Sequence, residues 1–102
     1  MTKTKPYAKM RKMESENKFQ VHLHNPTDTL FAKVTMRTGG FTFSDDELVT
    51  TETVNKEFGE LAPRGSLQVD ESDLGELDFK IWYEFQLYDK GNEVVGDVKF
   101  SI

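Results

Sequence analysis

Two histidines are the residues whose type and spacing first suggest chemistry in this chain. His22 and His24 lie two positions apart, so on a β-strand both side chains project from the same face. Neutral imidazoles at this spacing can share a metal ion. The chain has no cysteine and no third histidine, and the sequence places no other ligand beside the pair. We interpret the two histidines as a solvated pair beside a turn, and metal binding stays open.

A run of acidic residues from Asp70 to Asp78 offers the hard oxygen ligands that Ca²⁺ prefers. The run surrounds Gly75, but it does not fit an EF-hand loop. Its twelfth position, counted from Asp70, is Ile81, whereas the EF-hand requires a glutamate there. We interpret the run as an acidic surface loop, and here too metal binding stays open.

No pattern of residues points to catalysis. The chain has no thiol nucleophile, and Gly39-Gly40 lacks the lysine and the following helix of a phosphate-binding loop. Glu84 and Asp97 face each other in the hairpin predicted below, and paired carboxylates can serve in acid–base catalysis. The sequence places no substrate pocket beside them. We therefore predict a protein without enzymatic activity and without a cofactor.

A long β-hairpin over Leu77–Ile102 is the main element that positions these groups. Apolar and aromatic residues alternate with polar ones, which places one face of the first strand in a core. A four-residue turn opposes Leu87 with Val94 and Phe85 with Gly96, and this register keeps the apolar side chains of both strands inside. The inward residues of the first strand are Leu77, Phe79, Ile81, Tyr83, Phe85 and Leu87.

The rest of the chain predicts further short strands. One covers residues 18–24, and another covers 30–38 and is broken at Gly39-Gly40. Ser44–Glu47 has the spacing of a helix capping box, so at most one helical turn is expected there. Turns recur about every eight to twelve residues without a crossover helix, which is typical of antiparallel sandwiches. The prediction is an all-β fold, an antiparallel β-sandwich of about seven strands, forming one domain over residues 18–102.

Basic residues are concentrated at the amino terminus. Residues 1–18 contain six basic and two acidic residues, whereas the remainder contains seven basic and sixteen acidic ones. We predict a flexible basic arm over residues 1–17, with a short helix carrying Tyr7, Met10 and Met13 as the alternative. Such an arm could dock on nucleic acid, a membrane or an acidic partner. With one aromatic residue and no arginine cluster, nucleic acid is not the expected partner.

The amino-terminal sequence also bears on location. Met1–Pro6 lead into no apolar run, so neither a signal peptide nor a membrane span is predicted. The absence of cysteine fits a reducing compartment. We expect a cytoplasmic protein, and its oligomeric state is not predicted.

Two segments, VHLHNPTDTLFAKVTMRTGGF and LAPRGSLQVDESDLGELDFKIWYEFQLYD, resemble the plan of immunoglobulin-like sandwich domains. In many such domains a strand ends in an Asn-Pro/Thr-type turn, a Leu-x-Pro-x-Gly-Ser segment precedes a later strand, and a long hairpin closes the domain. The resemblance covers residues 18–102 and implies the fold rather than an activity. The cysteine pair and the core tryptophan of antibody domains are absent, and Trp82 falls on the face opposite the main core.

Aromatic residues on the outer face of the hairpin lead to the functional prediction. Trp82 and Tyr88 share this face with Val95 close by, and tryptophan and tyrosine often anchor protein interfaces. We predict a non-catalytic protein-interaction module that binds another protein through Trp82, Tyr88 and Val95. A contrary interpretation is that the domain's own second sheet, or the arm, covers this face.

Two other functions stay open. The first is an acidic inhibitor that mimics nucleic acid and binds a DNA- or RNA-handling protein, since the body carries a strong negative charge. The second, with less support, is a sugar-binding sandwich that uses Trp82.

Overall fold

The computed structural model describes residues 5–102, and these residues form eight β-strands and two short 3-10 helices. The described strands pair antiparallel throughout, which confirms the prediction of an all-β antiparallel fold. None of the described residues belongs to a helix long and apolar enough to cross a membrane. The strands are β1 Tyr7–Met13, β2 Lys18–His24, β3 Lys33–Ser44, β4 Glu47–Thr50, β5 Val54–Phe58, β6 Ser66–Asp73, β7 Lys80–Tyr88 and β8 Val94–Ser101; the 3-10 helices are Glu14–Glu16 and Leu74–Asp78.

The strands form two sheets that enclose one core. The smaller sheet has the order β1-β2-β6, and the larger has β3 between β7 on one side and both β4 and β5 on the other, with β8 beyond β7. Alternate residues of each sheet point towards the other sheet and are buried. The buried apolar residues are Phe19, Val21, Leu23, Phe31, Val34, Met36, Leu61, Val69, Tyr83, Phe85 and Leu87.

The amino-terminal segment differs from the predicted flexible arm. Tyr7–Met13 form a strand that pairs with β2 along its whole length. Ala8 and Met10 pack against the core, so the segment contributes apolar contacts despite its charge. The sequence signal was weak because the exposed positions of β1 are basic, a composition that natural edge strands use to discourage further pairing. The part of the predicted arm over residues 1–4 lies outside the described residues.

Gly39-Gly40 do not break β3, contrary to the prediction. Gly39 pairs with Trp82, and a Cβ atom added at Gly39 would lie 2.8 Å from Trp82 Cζ2. The indole therefore occupies the space that a side chain would fill. The amide of Gly40 donates a hydrogen bond of 2.8 Å to Thr51 Oγ1. The two glycines thus allow close contacts within a continuous strand.

The connection between β3 and β4 is a two-residue turn and not the helical turn that the capping-box spacing suggested. Asp45 and Asp46 have φ angles of 50° and 67°, as both central residues of a type I′ hairpin turn require. Aspartate tolerates this left-handed conformation better than most residues. Ser44 and Glu47 pair directly across the turn, so the hairpin is tight.

The β7–β8 hairpin has the predicted inward face on β7, but its register differs from the prediction by two residues. Phe85 opposes Val98 instead of Gly96, and Gly96 opposes Leu87. The side chain of Leu87 covers this glycine, since a Cβ atom at Gly96 would lie 3.3 Å from Leu87 Cδ1.

The turn of this hairpin explains the difference. Asp89 Oδ1 accepts hydrogen bonds from the amides of Gly91 and Glu93, which closes a shorter turn than predicted. The pairing then shifts beside Tyr88, and Val94 opposes Tyr88. Val94 is 51% exposed, so its predicted place in the core is wrong.

The new register also changes the charges on the outer face. Glu84 opposes Lys99 on β8 and Arg37 on β3, whereas the predicted partner was Asp97. Opposite charges on neighbouring strands stabilise a sheet, and like charges directly opposed destabilise it. The predicted pair of facing carboxylates is therefore wrong, and the interpretation as an acid–base pair has no geometric basis.

Asn25 joins two loops at one end of the sandwich and is the one polar residue among those described whose side chain is fully buried. Its Nδ2 donates to the carbonyl oxygens of Thr29 (2.7 Å) and Ala62 (3.0 Å). Its Oδ1 accepts hydrogen bonds from the amide and the hydroxyl of Thr27. All the hydrogen-bonding capacity of the buried amide is used, as burial requires.

Candidate interaction surface

The outer face of the larger sheet carries aromatic and aliphatic side chains near the β3–β4 hairpin. Phe41 and Phe43 lie on the same face of β3 as Gly39, because alternate strand residues share a face. The register adds Leu48 opposite Phe43 and Trp82 opposite Gly39. We name Trp82, Phe41, Phe43 and Leu48 the tryptophan patch.

The tryptophan patch is only partly covered. Phe43 is 69% exposed and Leu48 is 58% exposed, whereas Trp82 and Phe41 are half-buried. The rings of Phe41 and Phe43 meet edge to face, with centroids 6.3 Å apart. All four side chains line one hollow of about 520 Å³, whose remaining lining includes threonines of β4 and the segment after it. Exposed apolar groups concentrated in this way mark interaction sites more often than single exposed residues do.

Charged side chains border the tryptophan patch. The next position on the same face of β7 is Glu84, which lies between Arg37 and Lys99 in the pairing. Trp82, Glu84 and Lys99 line a second hollow of about 370 Å³. An apolar centre beside a charged rim is the usual arrangement of a protein interface.

The other two predicted partner-binding residues lie at the far end of the hairpin. Tyr88 lies six positions after Trp82 on β7, which is about 20 Å in an extended strand. Lys33 Nζ lies 4.3 Å from the centroid of the Tyr88 ring, and Tyr88 Oη donates to Gln86. Val95 is 52% exposed near this end. The structure does not bring Tyr88 and Val95 together with Trp82.

Phe41, Phe43 and Leu48 were not predicted as site residues. Their alternation was visible, and a type I′ turn at Asp45-Asp46 would have placed Leu48 on the same face as Phe43. The approach of Trp82 was not visible, because it depends on a pairing between residues that are far apart in the sequence.

The two histidines lie on the outer face of the smaller sheet. Their ring centroids are 6.2 Å apart, and Tyr7 stacks on His24 at 5.0 Å. His22 Nε2 lies 3.1 Å from Gln20 Oε1. Burial, His22 and Lys9, in that order, lower the pKa of His24 below its ordinary value of 6.5. Within residues 5–102, no three histidine, aspartate or glutamate side chains are placed to hold a metal ion.

The predicted acidic loop is mostly regular structure. β6 extends to Asp73, and a 3-10 helix follows. Asp70 Oδ2 accepts a hydrogen bond of 2.7 Å from the Tyr83 hydroxyl, and Glu71 Oε1 accepts one of 3.3 Å from Gln20 Nε2. Asp70 therefore takes part in a link between the sheets, whereas the bond of Glu71 lies at the exposed surface.

Comparison with known proteins adds no relative. No family model, no curated protein and no solved structure matches this chain. The class of protein is therefore defined by the fold and the surface alone. It is an all-β domain of two antiparallel sheets with a partly exposed aromatic patch on the outer face of the larger sheet.

Proposed function

We propose that this chain is a non-catalytic protein-interaction module of immunoglobulin-like form, and that it binds a partner protein through the tryptophan patch. The observation that carries the proposal is the group of four apolar side chains on one sheet face, of which Phe43 and Leu48 are exposed and Trp82 and Phe41 only half-buried. Central aromatic residues contribute much of the free energy of binding at protein interfaces. Trp82 and Phe41 supply aromatic surface, and the more exposed Phe43 and Leu48 extend it.

The immunoglobulin-like form is supported by the contacts of Asn25. This residue belongs to the Asn-Pro turn, and it donates to Ala62 within the Leu-x-Pro-x-Gly-Ser segment. The two motifs that carry the resemblance therefore touch each other. A cytoplasmic location is part of the same proposal and is supported by the absence of cysteine.

The nucleic-acid-mimic alternative rests on the acidic body, because residues 19–102 contain sixteen acidic and seven basic residues. No specific arrangement of carboxylates among the described residues favours it over the tryptophan patch. It stays a prediction from composition.

A comparative pull-down tests the proposal. The bait variant is Phe43→Ser/Leu48→Ser, which removes two exposed side chains from the patch. The matched control is Val94→Ser/Val95→Ser, which removes two similarly exposed valines at the far end of the larger sheet. Proteins captured from the native host are identified by mass spectrometry for the wild type and both variants.

We expect at least one partner to be retained by the wild type and the control and lost by the patch variant. The loss of binding free energy at such anchors is about 2 kcal/mol or more. Capture of the same proteins by all three baits would contradict the proposal. Circular dichroism of the baits establishes that each is folded.

A further inference from the structure

The outer face of the smaller sheet, on the opposite side of the sandwich, places cations beside rings. The register of β1 and β2 sets Tyr7 against His24 and Lys9 against His22. Arg11 follows Lys9 on the same face, because alternate strand residues share a face. We name these five residues the basic strip.

The rings of the basic strip form a stacked row. Tyr7 and His24 have an interplanar angle of 24°, and His22 and His24 have one of 23°. Lys9 and Arg11 are exposed next to this row. The Cα atoms of Lys9 and Arg11 are about 7 Å apart, as for alternate residues of a strand. The imidazole centroids of His22 and His24 are 6.2 Å apart. Charged groups and rings thus run in parallel along the strands.

Two shallow hollows meet at His24. One has a volume of about 330 Å³, and its lining contains cationic and imidazole side chains and Met10, without a carboxylate. The other, of about 230 Å³, is lined by Tyr7, His24 and Arg64 among others. Arg64 pairs with Asp28, but both side chains are highly exposed, and such surface pairs are weak. The two hollows share His24 as a lining residue, and we call them together the groove.

The charge of this groove is opposite to that of the whole chain. On the same face of the sheet, β6 carries Glu71, which accepts from Gln20, and Asp73, which lies opposite Lys18 in the register. β2 therefore lies between these acidic residues and the cations of β1. The exposed Lys9 and Arg11 therefore concentrate positive charge on this face, although the net charge of the chain is −5.

From this arrangement we propose that the basic strip binds single-stranded nucleic acid, with Lys9 and Arg11 at the phosphates and the row of rings beside the bases. Proteins that bind single strands without sequence preference combine a cationic groove with aromatic stacking surfaces. An acidic polypeptide could form ion pairs with Lys9 and Arg11, but it has no bases to stack on the rings. From the sequence alone nucleic acid is not the expected partner, since only Tyr7 is visible in the arm. The pairing of β1 with β2 adds two imidazoles.

Fluorescence polarisation with a labelled oligothymidylate tests the proposal, at a length of about 12 nucleotides, within the site sizes of single-strand binders. We expect saturable binding that weakens as the salt concentration rises. Lys9→Glu/Arg11→Glu should lower affinity about tenfold or more, and losing two phosphate contacts should reduce the magnitude of the salt slope by about 1.4. Lys56→Glu/Lys90→Glu makes the same charge change at exposed residues of β5 and of the β7–β8 turn, and should retain most of the affinity.

A second variant separates bases from phosphates. His22→Ala/His24→Ala should weaken oligothymidylate about fivefold or more, because each stacked base contributes substantially. The same variant should leave binding of an abasic oligomer of equal length unchanged. Melting curves establish that both strip variants are folded.

Three results would overturn the proposal. They are no binding of oligothymidylate by the wild type, unchanged affinity of the Lys9→Glu/Arg11→Glu variant, and equal competition by polyglutamate, which would identify an acidic polypeptide as the ligand. None of them bears on the tryptophan patch, which lies on the other sheet.

Discussion

The hydroxyl of Tyr83 donates a hydrogen bond of 2.7 Å to Asp70 Oδ2 and so joins the two sheets. Tyr83 lies on β7 and is 1% exposed, and Asp70 lies on β6, where it pairs with Val21. Burial first, and then the hydrogen bond and charge of Asp70, raise the pKa of the Tyr83 phenol far above its ordinary value of 10.0. The phenol therefore remains a donor throughout the neutral range, and its hydrogen bond links the two sheets.

Replacing Tyr83 by phenylalanine should destabilise the protein by about 1.5–3 kcal/mol, because the bond that is lost involves a charged acceptor. The free energy of unfolding in urea measures this change. Tyr88→Phe is the control, since it removes a hydroxyl that bonds to Gln86 near the surface. The control should stay within about 0.5 kcal/mol of the wild type. Equal losses in the two variants would show that the link between the sheets contributes little.

Alkaline pH should destabilise the protein through Tyr83. The unfolded chain releases this phenolic proton near pH 10.0, whereas the folded protein retains it. The unfolded state then binds fewer protons than the folded state, so stability falls as the pH rises above this value. Unfolding measured from neutral to alkaline pH should show a smaller loss in Tyr83→Phe than in the wild type. Parallel pH curves would contradict the assignment.

Acidification should destabilise the smaller sheet through His24. Its pKa in the folded protein is lowered by burial, by His22 and by Lys9, so the unfolded chain takes up this proton first as the pH falls. The stability that His24 contributes is fully present above pH 6.5 and decreases below this pH, since the unfolded state binds more protons there. His24→Gln should show a smaller decrease in melting temperature on acidification than the wild type. His22→Gln, measured alongside, removes the neighbouring imidazole that lowers the pKa of His24 but retains His24 itself. A decrease as large as that of the wild type would contradict the prediction.

Replacing Asn25 by alanine should cost about 1–3 kcal/mol, because the hydrogen bonds of a fully buried amide are lost. Two carbonyl oxygens, those of Thr29 and Ala62, lose their donor. Asn25→Asp should be at least as harmful, because an acceptor then replaces the donor that faces them. Asp28→Ala breaks only the exposed pair with Arg64 and should cost less than about 1 kcal/mol. Chemical denaturation compares the three variants, and a neutral Asn25→Ala would contradict the role of this residue.

Replacing Gly39 by alanine should displace Trp82. The added Cβ atom would lie 2.8 Å from Trp82 Cζ2, and such overpacking costs about 1–3 kcal/mol. Trp82 is the single tryptophan of the chain, so its emission and its quenching by acrylamide report the movement directly. Gly59→Ala is the matched control, because no atom lies within 4 Å of a Cβ atom built there. Identical spectra and stabilities for both variants would contradict the observed contact.

Local patterns predicted the faces of the strands well. The alternation of β7 identified Tyr83 and Phe85 as inward-facing, and both are buried. In β2 it placed His22 and His24 on one face, and the residues of the opposite face, Phe19, Val21 and Leu23, are buried. These assignments depend only on neighbouring residues and on the twofold period of a strand.

Pairings between distant residues could not be predicted in the same way. The β7–β8 register depends on hydrogen bonds to Asp89 Oδ1, and a small change in turn geometry moves every partner. The strand β1 could not be predicted from its own residues, because Ala8 and Met10 alone are a weak apolar signal. Its pairing with β2 defines it. The tryptophan patch depends on the pairing of Gly39 with Trp82, which are separated by the whole of β4, β5 and β6.

The division of β3 has a mechanical consequence. Its first half lies between β5 and β7, and its last residues pair with β4, every residue of which is exposed. This end of the sheet is therefore a two-stranded ribbon, formed by β4 and the last residues of β3, which joins the rest of the sheet at Gly39-Gly40. Segments with few buried contacts open locally at the lowest cost in free energy. A partner that binds Phe43 and Leu48 must therefore order a flexible ribbon, which costs conformational entropy. A substitution that makes the ribbon rigid in the free protein would raise the affinity without adding a contact.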